Sequence, residues 1–393
     1  MKKQAIASLL IAGMLLTGCG GAPTSTSASS AAASAVETKM TPGTYEGTAA
    51  GMRGDLTVAV TVDETSLLKV EVTNCVDTAV ISDAAIDTLP GQIVEQQNIQ
   101  VDNVSGATMT SLGIKNAVAK AIEQAGGDPA AFKKTVEAKE KTEGETQEYD
   151  VVVVGAGMSG MSAAIEIARN SDAKVLVLEK EAYTGGSSRV CGGGIWAVNS
   201  EINQEIGQDS TLDEYIDFMK LRGQTSDLNT GLMESIYNKS ADVIEYYYDN
   251  GLPVSLETWS LGHPDSQLPV LWAKKNDDTS WETGESGVFD AVQAIAEKLG
   301  VEIRLNSKVT ELVQADGAVS GVRVEDTDNT YQINAKQVIL ATGGFTRNRD
   351  MVEELAPDYV NAFAFTGAGS TGDGITLTED LDTVLVGDGM MGL

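Results

Sequence analysis

Apolar positions change their period several times along the chain, and each change marks an element. Leu56, Val58, Val60 and Val62 alternate with polar or small residues, the two-residue period of a half-buried strand. Leu68, Val70 and Val72 repeat it, and Asp63-Glu64-Thr65-Ser66 between the two runs predicts a hairpin. Gly43-Thr44-Tyr45-Glu46-Gly47-Thr48, ahead of them, reads as turn-rich. Asp83 to Gln97 carries Ile86, Leu89 and Ile93 at helical spacing, with Ser82 as N-cap and Pro90 as a kink. Ile114, Val118 and Ile122 predict a second helix. Val151 to Val154 is a continuous apolar run, as in a parallel strand buried on both faces. A helix through Ala164, Ile167 and Ala168 and a strand from Lys174 to Leu178 follow. Val338 to Leu340 ends a further buried strand. Residues 200–300 read as mostly helical, with a polar loop over 276–287.

Composition narrows the chemistry. The 393 residues hold 27 Lys and Arg against 57 Asp and Glu, a formal charge of −30. Nucleic acid and anionic lipid both need a basic surface, so neither is expected as a partner. Cys19, Cys75 and Cys191 are too few and too scattered for a disulfide framework or a zinc site. His263 is the single histidine, which argues against a Ser-His-Asp hydrolase and a multi-histidine metal centre. No metal ligands are assigned.

The first residues read as an address. Lys2 and Lys3 precede an apolar run, Ala5 to Leu16, too short to span a bilayer. Leu16-Thr17-Gly18-Cys19 resembles the lipobox of bacterial lipoproteins. That resemblance implies a signal peptide over residues 1–19, lipid on Cys19, and a protein held on the extracytoplasmic face of the cell membrane. The alternative is an ordinary secretory signal with an incidental cysteine. Residues 20–40 are rich in Ser, Thr and Ala and read as a flexible tether.

Asp102-Asn103-Val104-Ser105-Gly106-Ala107-Thr108-Met109-Thr110 places small residues and hydroxyls just before a helix, whose N-terminus favours an anion. By itself this is a phosphate seat or an N-cap cluster. Residues 41–126 resemble the FMN-binding domain of sodium-pumping quinone reductase subunits and of flavin-linked fumarate and urocanate reductases. Asp102-x-x-Ser105-Gly106-Ala107-Thr108 matches that family's flavinylation motif, and the Gly43 to Gly47 start agrees with it. The resemblance implies that a separate flavin transferase joins the FMN phosphate to Thr108 through a phosphodiester, with Thr110 as the fallback. The expected FMN domain, of α+β class, covers 41–127. A charged linker or short helix covers 128–147.

Gly155-x-Gly157-x-x-Gly160 lies between the Val151 strand and its helix, and Glu179 stands 24 positions after Gly155, at the end of the next strand. In that context the motif points to a dinucleotide: Gly155 for a tight turn, Gly157 for close approach of pyrophosphate, Gly160 for helix–strand packing, Glu179 for ribose hydroxyls. Thr184-Gly185-Gly186-Ser187-Ser188, Gly192-Gly193-Gly194, Ala341-Thr342-Gly343-Gly344 and Ser370-Thr371-Gly372-Asp373-Gly374 follow in order. Together they resemble the FAD-binding half of the fumarate reductase and succinate dehydrogenase flavoproteins, over residues 148–393. That implies an α/β, Rossmann-like domain holding FAD through Gly155, Gly157, Ser159, Gly160, Glu179, Lys180, Gly186, Ser187, Ser188, Gly193, Gly194, Val309, Thr342, Gly343 and Asp373. Cys191 reads as a redox thiol or a small buried residue, and His263 as a proton donor or a plain loop residue.

The implied activity is an extracytoplasmic reductase. It would pass electrons from a membrane or extracellular donor, through covalent FMN and FAD, to an unsaturated carboxylate of the fumarate or urocanate type. The alternatives are an electron-transfer lipoprotein without substrate chemistry, or a dehydrogenase of the ketosteroid type. No catalytic residue is assigned: Arg189, Arg304, Arg347 and Arg349 form no recognisable anion clamp. In the resembled superfamily the clamp and proton donor lie beyond Thr371-Gly372-Asp373-Gly374. The chain is therefore expected to be the N-terminal part of a longer reductase, which by itself holds FAD weakly and reduces neither acid.

Overall fold

A computed structural model describes residues 39–134, 140–190, 194–195, 200–205, 207, 210–223, 229–263, 266–273, 288–362, 364 and 366–385. Cys19, Cys191, Gly193 and the loop over 276–287 lie outside them.

Three antiparallel strands, β1 (Gly43–Ala50), β2 (Asp55–Val62) and β3 (Leu67–Asn74), form a sheet in the order β1-β2-β3. The alternation along β2 is complete, with Leu56, Val58, Val60 and Val62 all buried. The Gly43 to Thr48 stretch, read as turn-rich, is instead strand β1. It pairs with β2 along its whole length, and the Thr44–Thr61 and Thr48–Thr57 hydroxyls meet across the ladder at 2.9 and 3.0 Å. In β3 the inward residue is Leu67, while Leu68 is 54% exposed. A register shift between Thr61 and Val62 inverts the faces at that end.

Helix α1 (Ile81–Gln96) runs on through Pro90 without a break. Ser82 does not cap it: Val80 is the N-cap, the Asp83 carboxylate accepts the Val80 N–H at 2.8 Å, and the Ser82 hydroxyl donates to the Thr78 carbonyl. Helix α2 (Thr108–Gln124) lays Ile114, Ala117, Val118, Ala121 and Ile122 onto the sheet, each fully buried. Phe132, from the stretch expected to be linker, closes this core at 4% exposure; apolar area outweighs the charged flanks there.

The second core surrounds a mixed sheet. Strand β4 (Gln147–Val154), helix α3 (Met158–Asn170) and strand β5 (Val175–Leu178) make a βαβ unit. Further along come α4 (Leu212–Gly223), α5 (Thr230–Asp249), β6 (Val254–His263), β7 (Ser266–Ala273), α6 (Val288–Lys298), β8 (Glu302–Arg304), β9 (Lys308–Ala315), β10 (Ala318–Glu325) and β11 (Asn329–Leu340). The order across the sheet is β8-β5-β4-β11-β10-β9; the first four run parallel and the last three form an antiparallel meander. The Val151–Val154 run is buried on both faces. Val151 and Val153 pack with α3 and α6, whereas Val152 and Val154 pack with Val309, Val322 and Ile333 of the meander. Burying one such side chain contributes about 1.5–3 kcal/mol.

The expectation of a mostly helical 200–300 is corrected by β6 and β7, an antiparallel hairpin closed at His263 and Ser266. His263 thus ends a strand. Among the described residues no helix is long and apolar enough to cross a membrane.

Candidate functional site: two flavin seats

The Gly155–Gly160 turn is fixed by its neighbours. Gly155 has φ +106°, a conformation that only glycine adopts freely, and its N–H donates to the Leu178 carbonyl at 2.8 Å. A Cβ at Gly160 would collide with the Gly155 carbonyl, so helix α3 could not start so close to β4 with any larger residue. At Gly157, Gly186 and Gly343 a Cβ would meet nothing nearer than 4.0 Å; it would project into free space.

That space is a cavity of about 440 Å³. Gly155, Gly157 and Ser159 line it from the start of α3, and Gly186, Ser187 and Ser188 from the turn after β5. Val309 comes from β9, Thr342 and Gly343 from the end of β11, and Asp373 from the last motif; Glu179 and Lys180 stand at the end of β5. Gly160 lies behind the wall as a packing residue. Gly194 starts a two-residue strand paired with Trp272.

Glu179 is 7% exposed. Its Oε2 accepts the Ala156 N–H and its Oε1 the Glu181 N–H, both at 2.9 Å. Burial pushes its carboxyl above the usual range, partly offset by those two hydrogen bonds. The segment carrying it is clamped from β8: Glu179 N–H donates to Arg304 O, Ser307 N–H to Glu179 O, and Asn306 N–H to Glu181 O.

These residues fit FAD. The glycine faces leave a Cβ-sized recess on each side. Helix α3 has no side-chain cap, so its first N–H groups are free for phosphate, and an acceptor carboxylate ends β5.

Asp373 closes the opposite wall. Lys180 Nζ donates to its Oδ2 at 2.8 Å and to Thr371 Oγ1 at 2.5 Å, and Thr371 Oγ1 donates to Asp373 Oδ1 at 2.6 Å. Burial opposes ionisation of Asp373, but the Lys180 and Thr371 hydrogen bonds outweigh it and hold the carboxyl below its ordinary value. A depressed carboxyl stabilises the fold above the unfolded-state value near 3.8, and that stability is lost as pH falls through the folded value. The pair is about a fifth exposed on each side, so its worth lies between the ~1 kcal/mol ceiling of a surface pair and the ~3–5 kcal/mol of breaking a buried one. Lys180→Met should therefore lower stability at pH 7 and flatten the acid limb below pH 4. Urea titrations from pH 3 to 7 check this, and an unchanged acid limb would count against the pairing.

In the first core, Thr108 is the first residue of α2 and is exposed, while Thr110 is 3% exposed. Thr110 Oγ1 donates to Asp77 Oδ2 at 2.6 Å, and Asp77 Oδ1 accepts the Met52 and Arg53 N–H groups at 2.8 and 2.7 Å. Ser105 is exposed, and neither it nor Thr108 caps α2, whose N-cap is Ala107. The sequence motif thus ends in an uncapped helix N-terminus, with Met109 and Leu112 exposed beside Thr108. A phosphate on Thr108 fits the uncapped dipole, and a flavin ring fits the apolar side chains.

The arginines have other duties. Arg189 is buried and donates to the Thr184 carbonyl and hydroxyl and to Asp290. Arg304 binds Glu302, Gln147 and Tyr149; Arg347 binds the Thr366 carbonyl; Arg349 binds Glu353.

A family model described as FAD binding domain matches residues 150–392. The chain belongs to that family. An FMN-binding domain model matches residues 51–123 ahead of the FAD binding domain. Urocanate reductase of Eggerthella lenta is 31% identical over 384 residues, which cover 95% of this chain and 60% of that protein. NADH:fumarate oxidoreductase of Klebsiella pneumoniae is 28% identical over 345 residues, 87% of this chain and 36% of that protein. The open conformation of a flavocytochrome c3 fumarate reductase aligns at TM-score 0.54 and 25% identity, over 63% of this chain and 45% of that one. The chain therefore spans about 60% or less of the length of these relatives.

Sequence reading missed Asp77, Glu181 and Tyr183. Glu181 had a signal: it is two residues after Glu179, so on an extended segment both acids share a face.

Proposed function

We propose that this chain is the flavin-bearing part of a lipid-anchored, extracytoplasmic reductase of activated C=C bonds. FMN, tied to Thr108 by a flavin transferase, would accept electrons from a membrane or extracellular donor, and FAD in the cavity would supply hydride to an unsaturated carboxylate of the fumarate or urocanate type. Thr108 offers an exposed hydroxyl at a helix start, which suits covalent attachment; Thr110 is committed to Asp77. Glu179 orients ribose, the free N–H groups of α3 take pyrophosphate, and Lys180 keeps Asp373 ionised at the cavity wall. The lipid anchor rests on Leu16 to Cys19 alone.

The observation that carries the reading is that both flavin seats occur in one chain, next to each other: the Gly106 turn stands against Glu181, which is itself a wall of the FAD cavity. The names of the relatives supply the substrate class. In the test, a protein carrying this chain, loaded with both flavins, receives reduced viologen and either fumarate or urocanate. Dye oxidation that depends on one of the acids is the expected result. Flavin reduction by the dye with no acid-dependent reoxidation would overturn this reading and leave the electron-transfer and ketosteroid-type dehydrogenase alternatives.

A further inference from the structure

Glu181 has no assigned role, and its surroundings are unusual. It is 6% exposed, and its Oε2 has no hydrogen-bond partner. A buried carboxylate oxygen without a partner is costly, so its position calls for an explanation. The carboxylate stands between two glycines far apart in the chain. A Cβ on Gly106 would lie 2.8 Å from Oε2, 2.9 Å from the Tyr183 hydroxyl, and against the Tyr183 ring. A Cβ on Gly369 would lie 3.2 Å from Oε1. Tyr183 is 5% exposed, and burial with Glu181 and Glu179 nearby pushes its phenol up to about 12, so it stays neutral beside the acid.

The two glycines belong to the two flavin seats. Gly106 has φ +77° in the turn that presents Thr108, a turn closed by the Ala107 N–H on the Val104 carbonyl at 3.0 Å. Gly369 belongs to the loop that lines the FAD cavity: Gly367 N–H donates to Ser187 Oγ at 3.1 Å, and Ser187 and Ser370 hydroxyls meet at 3.2 Å. The Gly106 turn leaves no room for a side chain on the Glu181 side, and at Gly369 the contact is tight.

We propose that Glu181 is a positioning residue that couples the two seats: Tyr183 and Glu181 receive the 104–107 turn, and the Glu181 carboxylate passes its position to the 367–370 loop of the FAD cavity. The unpartnered oxygen is the moving part. When the Gly106 turn settles on Tyr183, the carboxylate is held toward Gly369 and the cavity loop is fixed. When the turn lifts, the carboxylate is released and the loop loosens. Because linkage is reciprocal, FAD that orders the loop would favour the seated turn by the same factor. The seat would thereby bring the Thr108 region to the FAD wall only when that wall is formed. This consequence for electron passage rests on the proposed function; the seat itself does not.

Hydrogen exchange of the full, flavin-free chain separates the two. Gly106→Asn is the probe, because asparagine tolerates a positive φ while its Cβ strikes Tyr183. We expect exchange to rise about fivefold or more at 103–107 and also at 366–371, with 114–122 in the α2 core unchanged. Tyr183→Ala, which removes the surface on which the turn settles, should likewise raise exchange at 103–107 and at 366–371. In wild type, FAD should slow exchange at 103–107, and Glu181→Ala should abolish that response. Unchanged exchange at 366–371 in Gly106→Asn or in Tyr183→Ala would overturn the coupling. An unreactive fumarate assay would not, since no step of this test needs turnover.

Discussion

Thr108→Ala should give a chain with no covalent flavin at all, while Thr110→Ala keeps its flavin and loses stability. The two hydroxyls are two residues apart, yet their surroundings differ. Thr108 is exposed at the first position of α2, where free N–H groups and the helix dipole attract a phosphate. Thr110 is buried and donates to Asp77, whose other oxygen holds the Met52 and Arg53 amides of the β1–β2 loop. Thr108 is open to solvent, so a transferase would meet it without unfolding anything. Reaching the second would break the Asp77 bond, at a cost of about 1–3 kcal/mol. Co-expression with a flavin transferase, followed by a denaturing gel viewed under ultraviolet light, reads the attachment. Thr108→Ser keeps a hydroxyl and should keep the band. Thr110→Ala should keep it too, with stability lowered by about 1–3 kcal/mol. A band present in Thr108→Ala and absent from Thr110→Ala would move the attachment point to the buried residue.

Where periodicity was strong, sequence and structure agree. Strand β2 alternates without interruption, and Val151 to Val154 has no polar residue for either face of the sheet to reject. Fine register was less legible. The shift at Thr61 and Val62 exchanges Leu68 for Leu67 at the core, and nothing in the apolar spacing marks it. The β6–β7 hairpin was missed because Leu271 breaks the alternation of Leu268, Val270 and Trp272 and Pro269 lies inside the run, so no strand period stands out. The site follows the same rule. Glycine motifs and the acid after a strand are local signals, and they placed the residues that surround the cavity. Asp77 with Thr110, and Glu181 and Tyr183 with Gly106, join positions 33 to 77 residues apart. Such pairs have no period, and only the folded chain brings them together.

Glu179→Gln tests the cavity most sharply, because a carboxylate and an amide of equal size differ there in kind. Each carboxylate oxygen accepts one backbone N–H, from Ala156 and from Glu181, at 2.9 Å. Glutamine has one oxygen and one NH₂, so one backbone donor must face another donor. The mismatch costs about 1–3 kcal/mol, and a ribose hydroxyl loses one acceptor oxygen, worth about 0.5–1.5 kcal/mol. The expected loss of FAD affinity is about 10- to 100-fold, measured by quenching of flavin fluorescence at pH 7. Stability should change in the opposite sense with pH. The Glu179 carboxyl is raised by burial, so the folded state holds a proton that the unfolded state has released. Wild type therefore loses stability as pH rises from the ordinary value of 4.5 through the raised folded value, and the variant, with nothing to ionise, does not. An affinity within twofold of wild type would mean that Glu179 does not face the ribose, and that its two backbone bonds serve only to shape the turn between β4 and α3.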